Sequence, residues 1–165
     1  MLHWEIKETV VEGVRKDKFV TTLSMPPEFV HVAFTKKLAG QQADKGQKFG
    51  IIGNYGNSIT IYETESFLVQ HQIMVNNIVK SFMFANNNQD LLVVTKDCKV
   101  RIYSLIDHQG MCYEGIFLRE IANCHRGAIT GLDVSQNSGY LLTGGEDNML
   151  RIWDYEATNT HAYFF

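Results

Sequence analysis

The last quarter of the chain carries the pattern that most restricts its fold. Residues 128–134 and 149–153 alternate apolar and polar side chains, as half-buried strands do. Between them lie a short apolar run at 140–143 and two turn clusters, 136–139 and 144–148, rich in residues that tolerate positive φ. Three strands joined by tight turns predict an antiparallel meander, and such a unit needs a neighbouring sheet to bury its apolar face.

The same strand frame occurs twice more upstream. Asp97 precedes Tyr103 by six positions, as Asp147 precedes Trp153. Tyr62, Tyr103 and Trp153 are successively 41 and 50 residues apart, near the repeat period of about 40–45 residues in propeller blades. The predicted strands of the two upstream copies are 29–34, 49–53 and 58–62, then 78–84, 91–95 and 99–103. Fourth strands are predicted at 67–73 and 116–121.

The meander over residues 125–154 resembles the WD repeat (WD40), the unit of a β-propeller blade. The resemblance covers nearly the whole chain and implies an all-β partial propeller of about three and a half four-stranded antiparallel blades. It divides the chain into the end of one blade (1–24), two blades (28–73 and 77–122) and a blade with a truncated outer strand (125–165). Propellers close with four to eight blades, so we expect a portion of a longer protein, or closure with a partner chain.

The resemblance assigns a buried hydrogen-bond tetrad to four side chains, His125, Thr143, Asp147 and Trp153. Trp only donates, Asp accepts, and Thr and His do both, so a chain running Trp–Thr–His–Asp satisfies every member. Thr, His and Asp also compose a nucleophilic triad, but Thr143 lies within a predicted strand, with no strained elbow and no evident oxyanion hole. We therefore predict a structural tetrad, no catalytic residues and no enzyme. Val93 and Tyr103 replace Thr and Trp in the preceding copy, which keeps the frame and loses the tetrad.

Composition narrows the classes of partner. The chain has 165 residues, a net charge of −3 and a pI of about 6.0, which argues against nucleic-acid binding. Its apolar runs are too short for a membrane span, and its N-terminus is too polar for a secretory signal. Cys98, Cys112 and Cys124 never occur at Cys-x-x-Cys spacing, so we expect reduced thiols in the cytoplasm, without a metal or cofactor.

Candidate partner-binding residues lie on loops. An insertion at 35–48 carries four of them, Lys36, Lys37, Lys45 and Lys48, and the predicted topology places it at the same end of the blades as a second insertion at 104–115. Loops longer than about 12 residues are uncommon unless functional or disordered, so the lysine insertion is either a solvated excursion or a contact with an acidic surface. Four more candidates are predicted around the channel mouth at the opposite end, Asn54, Lys96, Arg126 and Glu146, with ordinary solvent exposure as the alternative.

A narrower resemblance suggests a setting. Residues 124–129, 140–145 and 150–155 are similar to large WD-repeat proteins of centrioles and motile cilia. That similarity implies a non-enzymatic scaffold in the cytoplasm, cytoskeleton or cilium, with tubulin or axonemal and centriolar components as partners. The alternative is a WD-repeat substrate receptor, or a nuclear or chromatin adaptor, that recognises a short peptide at the propeller mouth.

Overall fold

The computed structural model describes residues 31–36, 47–52, 56–107, 110–156 and 163–164. These residues form three antiparallel sheets of four strands each, in which the strands follow one another in chain order. The all-β prediction is confirmed, as is the partial propeller architecture of successive four-stranded blades. The predicted end of an earlier blade, residues 1–24, lies outside the described residues.

Each blade is a meander of neighbouring strands. Blade 1 contains β1 (Val32–Phe34), β2 (Lys48–Ile52), β3 (Ser58–Glu63) and β4 (Val69–Met74). Blade 2 contains β5 (Val79–Ala85), β6 (Asp90–Thr95), β7 (Val100–Asp107) and β8 (Gly110–Ile121). Blade 3 contains β9 (Ile129–Val134), β10 (Tyr140–Gly145), β11 (Leu150–Asp154) and β12 (Tyr163–Phe164). Within the described ranges, no helix is long and apolar enough to cross a membrane.

The predicted insertion at 104–115 is not a loop. Strand β7 continues to Asp107 and β8 begins at Gly110, with Ile106 opposite Met111 and Asp107 opposite Gly110. The prediction of a loop is wrong because the segments on either side of residues 108 and 109 pair as strands, and the sequence between them has no Gly-Asn or Asn-Gly turn signal. The first insertion is also shorter than predicted, since Lys48 is the first residue of β2.

Blade 2 lies between two hydrophobic cores. On one face, Leu91 and Val93 pack into a cluster that includes Ile59 and Ile61 of blade 1. On the other face, Leu92 and Val94 pack into a cluster shared with blade 3, whose members include Ile129, Leu141 and Trp153. Successive side chains of a strand point to opposite faces, so a strand buried on both sides needs the unbroken apolar run that β6 carries.

The contact between blades 1 and 2 is close enough to require glycine at one position. A Cβ atom added to Gly50 would lie 2.6 Å from Cε2 and 2.8 Å from Cζ of Phe82. Phe82 is buried and stacks edge-on with Phe84 at a centroid distance of 6.2 Å, so its ring has little room to move. The two sheets therefore approach each other with no space for one extra methyl group.

We predict that Gly50→Ala destabilises the full chain by about 1–3 kcal/mol, because the added methyl overpacks the contact between blades 1 and 2. Gly144→Ala is the matched control, since a Cβ at this strand glycine meets no atom within 4 Å. Urea unfolding of both variants measures the difference. Equal stability of the two would contradict the close packing described at Phe82.

Candidate functional site

The structure brings the four tetrad residues together in blade 3. Trp153 Nε1 donates to Thr143 Oγ1 at 2.9 Å. His125 Nε2 lies 2.9 Å from the same hydroxyl, and His125 Nδ1 lies 2.7 Å from Asp147 Oδ1. We assign the proton of the His125 ring to Nδ1, which then donates to the Asp147 carboxylate. The Thr143 hydroxyl donates to Nε2 of the same ring, so the indole, the hydroxyl and the imidazole each donate one hydrogen bond. We infer that this network joins β10 and β11 to the connection that precedes β9.

A fifth residue, Arg151, belongs to the same network. Its Nη1 atom lies 2.9 Å from Asp147 Oδ2 and 2.5 Å from His125 Nδ1. Because an arginine only donates and Nδ1 already donates to Asp147, we assign the ion pair with the carboxylate as its main interaction. Burial favours a higher pKa for Asp147, but hydrogen bonds from His125, Arg151 and the amides of Arg126 and Met149 outweigh it and hold the pKa well below its usual range.

Sequence reasoning missed this arginine, although a signal for it was present. Asp97 and Arg101 of blade 2 repeat the spacing of Asp147 and Arg151 four positions apart, and both pairs form ion pairs. In blade 2, Arg101 Nη2 lies 2.8 Å from Asp97 Oδ2. The hydrogen bonds from Arg101 lower the pKa of Asp97 to about 2. An Asp-x-x-x-Arg repeat starting at the second turn would have predicted both.

Blade 2 keeps the ion pair and fills the other tetrad positions with two valines and a tyrosine. Equivalent residues of blade 2 have numbers that are lower by 50 than those of blade 3. Val75 is therefore equivalent to His125, Val93 to Thr143 and Tyr103 to Trp153. All three pack in the core shared with blade 1. Replacing the histidine, threonine and tryptophan together leaves none of them without its partner, and the retained Asp97 keeps Arg101 as its own partner. Equivalent positions therefore carry a hydrogen-bond network in blade 3 and hydrophobic packing in blade 2.

The Thr143 hydroxyl of the tetrad is buried and bound on two sides. Thr143 is 0% exposed, and its hydroxyl contacts both His125 and Trp153. Gly145 lies directly against the histidine, since a Cβ there would be 2.3 Å from His125 Cγ. A nucleophile needs space for a reacting carbonyl group beside it, whereas His125 and Trp153 both lie at 2.9 Å from this hydroxyl.

The thiols and carboxylates give no metal site among the residues that the structure describes. Cys98 and Cys124 are free thiols. Burial raises the pKa of Cys124 to about 11, so this thiol is unreactive at neutral pH. Cys124 donates to the carbonyl of Ile121 and packs in the core between blades 2 and 3.

The predicted lysine cluster is only partly within the described residues. Lys36 is exposed, while Lys37 and Lys45 lie outside the described ranges. Lys48 is half-buried in β2 opposite Glu63, and burial lowers its pKa despite the nearby carboxylate. Lys48 lies opposite Thr35, the residue before Lys36, because the Thr35 amide donates to the Lys48 carbonyl at 2.8 Å.

The candidates at the channel mouth occupy turns with defined backbone contacts. The amide of Lys96 donates to the Ile78 carbonyl at 2.8 Å, and the equivalent amide of Glu146 donates to Ala128 at 3.0 Å. The Lys96 and Glu146 side chains are exposed, as is Arg126, whose amide donates to the tetrad carboxylate of Asp147. Asn54 lies outside the described residues.

Comparison with known proteins identifies the repeat. Residues 117–154 match the family model described as "WD domain, G-beta repeat". The chain contains a WD repeat. This WD repeat begins in β8, the outer strand of blade 2, and ends in β11, so one sequence repeat spans two adjacent sheets. The matched sequence repeat therefore crosses the interface between blades 2 and 3, in which Trp153 and Leu141 are buried.

The curated relatives agree with the narrower resemblance. The chain is 27% identical over 91 residues to cilia- and flagella-associated protein 52 of Mus musculus. It is 26% identical to the protein of that name from Homo sapiens and 24% identical to that from Bos taurus, over the same length. Each match covers 54% of this chain, which spans 14% of the length of these three relatives. The expected similarity to the WD repeat and to ciliary proteins is confirmed.

We predict that His125→Ala or Trp153→Phe destabilises blade 3 by about 1–3 kcal/mol, because each leaves a buried polar partner unsatisfied. Thermal and urea unfolding of the full chain measure the loss. Tyr140→Phe is the control at an exposed aromatic on the same sheet and should change the free energy of unfolding by no more than about 0.5 kcal/mol. Unchanged unfolding of both tetrad variants would contradict the structural assignment.

Proposed function

We propose that this chain is a non-enzymatic WD-repeat scaffold that mediates protein–protein interactions in a ciliary or cytoskeletal assembly. The observation that carries the proposal is the similarity to cilia- and flagella-associated protein 52, which includes 91 residues of the chain. We place it in the cytoplasm, on the cytoskeleton and in the cilium. Its partners on this proposal are axonemal or centriolar proteins and tubulin.

The internal chemistry supports a scaffold over an enzyme. The polar groups of the tetrad are bound to one another, and Thr143 and His125 are buried. Rigid sheets of this kind present loops in defined positions, and loops on a rigid scaffold are where binding residues are concentrated. Affinity then comes from a few anchoring side chains within a broader contact.

The lysine insertion is the surface that we assign to an acidic partner. Lys36 is exposed at the end of blade 1, and the sequence adds Lys37 and Lys45 within the same insertion. Clustered cations raise the rate of association with an acidic surface, and this contribution weakens as salt screens it. The outer surface of a microtubule is such a partner.

A second function, recognition of a short peptide at the channel mouth, is favoured by a different observation. The exposed side chains of Lys96, Arg126 and Glu146 lie on turns whose backbones are held by hydrogen bonds to the neighbouring strands or to the tetrad. A substrate receptor or chromatin adaptor would use these turns. The two functions place the contact at opposite ends of the blades.

The test is co-sedimentation of the full chain with purified microtubules at increasing salt. We expect binding at low salt that weakens as salt rises, and at least about a tenfold loss of affinity in the double variant Lys36→Glu/Lys37→Glu, because like charges then face each other.

The matched control is Lys80→Glu/Lys96→Glu, which makes the same change in charge on the exposed part of blade 2. Equal loss in both double variants would show only a general effect of net charge. Loss in the control alone would favour the channel mouth. No binding of the full chain to microtubules at any salt concentration would contradict the tubulin contact.

A further inference from the structure

A polar cleft lies at the end of the blades where the first and second strands of each sheet are connected. We call it the asparagine cleft; its volume is about 450 Å³, and its lining includes Lys36, Asn86, Asn87, Asn88, Val134 and Gln136. It includes residues from all three blades. None of these residues except Lys36 was a candidate from the sequence.

Three consecutive asparagines hold an unusual backbone conformation at this cleft. Asn86, Asn87 and Asn88 have φ angles of 47°, 53° and 65°, all in the left-handed region. Residues other than glycine avoid this region of φ, and asparagine is among the few that tolerate it at moderate cost. Such conformations persist only where surrounding contacts hold them in place, and they occur often at binding sites.

The surrounding contacts come from blades 2 and 3. The Asn86 amide donates to Ser138 Oγ of the β9–β10 turn at 2.9 Å. The Asn86 side chain donates to Asp90 Oδ2 at 3.0 Å, and the same oxygen accepts the Tyr155 hydroxyl at 2.8 Å. Asp90 and Tyr155 are buried, so Asn86 anchors the turn to the core before any ligand arrives.

Asn88 already binds a polypeptide main chain in this cleft. Its Oδ1 accepts the backbone N–H of Lys36 at 2.8 Å, and its Nδ2 donates to the backbone carbonyl of Lys36 at 2.7 Å. One side-chain amide thus satisfies both the backbone donor and the backbone acceptor of one residue. This pairing does not depend on which side chain the bound residue carries.

Asn87 is exposed, lines the same cleft and has no hydrogen bond of this kind within the described part of the chain. We propose that the asparagine cleft binds an extended, uncharged segment of a partner protein, and that Asn87 pairs with its main-chain amides as Asn88 pairs with Lys36. Gln136 supplies a further side-chain amide at the cleft.

The charges at the cleft favour an uncharged segment. Lys36 and Asp133 are the charged side chains among its described lining residues, so the two signs balance. Peptide groups carry no net charge, and binding through them depends little on salt. The inference rests on the proposed scaffold function, but it needs neither tubulin nor the lysine insertion.

The test selects ligands from a random linear peptide library displayed on phage, with the full chain as bait. We expect uncharged peptides whose Kd changes little with salt and rises at least about tenfold in Asn87→Gly, which loses the amide. Glycine accepts the same φ without strain, so this variant keeps the turn. Asn123→Gly, at an exposed positive-φ asparagine outside the cleft, is the matched control and should bind normally.

Several outcomes would overturn the proposal. They are the absence of any selected peptide, equal binding to Asn87→Gly and wild type, or peptides that are acidic, salt-sensitive and lost with Lys36→Ala alone. The last result would leave the lysine contact of the scaffold intact and remove only the cleft. Conversely, normal microtubule binding by Asn87→Gly together with lost peptide binding would support two separate surfaces.

Discussion

Each described sheet of this protein is stabilised by burying an apolar face against the neighbouring sheet. Blade 2 shows the requirement most clearly, because β6 contributes alternate side chains to two separate hydrophobic cores. At about 25 cal/mol per Å² of apolar surface removed from water, such faces provide most of the stabilising free energy of stacked sheets. Gly50 against Phe82 shows how closely the sheets approach. The matched WD repeat crosses one of these contacts, so each repeat depends on its neighbour for a stable fold.

Within that frame, neighbouring blades use different chemistry at equivalent positions. Blade 3 buries a histidine and a tryptophan that both bind the hydroxyl of a buried threonine, and blade 2 replaces the three with Val75, Val93 and Tyr103. Both blades retain an aspartate–arginine ion pair, with Asp97 and Arg101 corresponding to Asp147 and Arg151. Joint replacement of the histidine, threonine and tryptophan, with the aspartate still paired to its arginine, avoids the cost of an unsatisfied buried group, so repeats can diverge while the strand frame persists.

The sequence predicted the strand frame well because alternation and turn residues are local signals. The strands β3, β6, β9 and β11 lie within a residue or two of their predicted positions. It failed at the hairpin after Tyr103, where a continuing strand lacks a strong turn signal. It also missed the asparagine cleft, because that site depends on contacts between Asn86 and Ser138, and between Asn88 and Lys36, that are 52 residues apart. Strand patterns do not encode such contacts.

The division between buried polar groups and exposed loops connects the fold to its proposed role. The tetrad side chains are engaged with each other, while Asn87 and Lys36 remain exposed at one end of the blades. Partner recognition on this view depends on positions that the buried network and the two cores hold rigid.

The buried position of the tetrad is tested most directly by hydrogen exchange of the Trp153 indole N–H in the full chain, followed by NMR. Because this group donates to Thr143 Oγ1 at 2.9 Å inside the core, its exchange should require opening of blade 3 and should be slowed by several orders of magnitude. Exchange at the rate of a solvent-exposed indole would contradict the account.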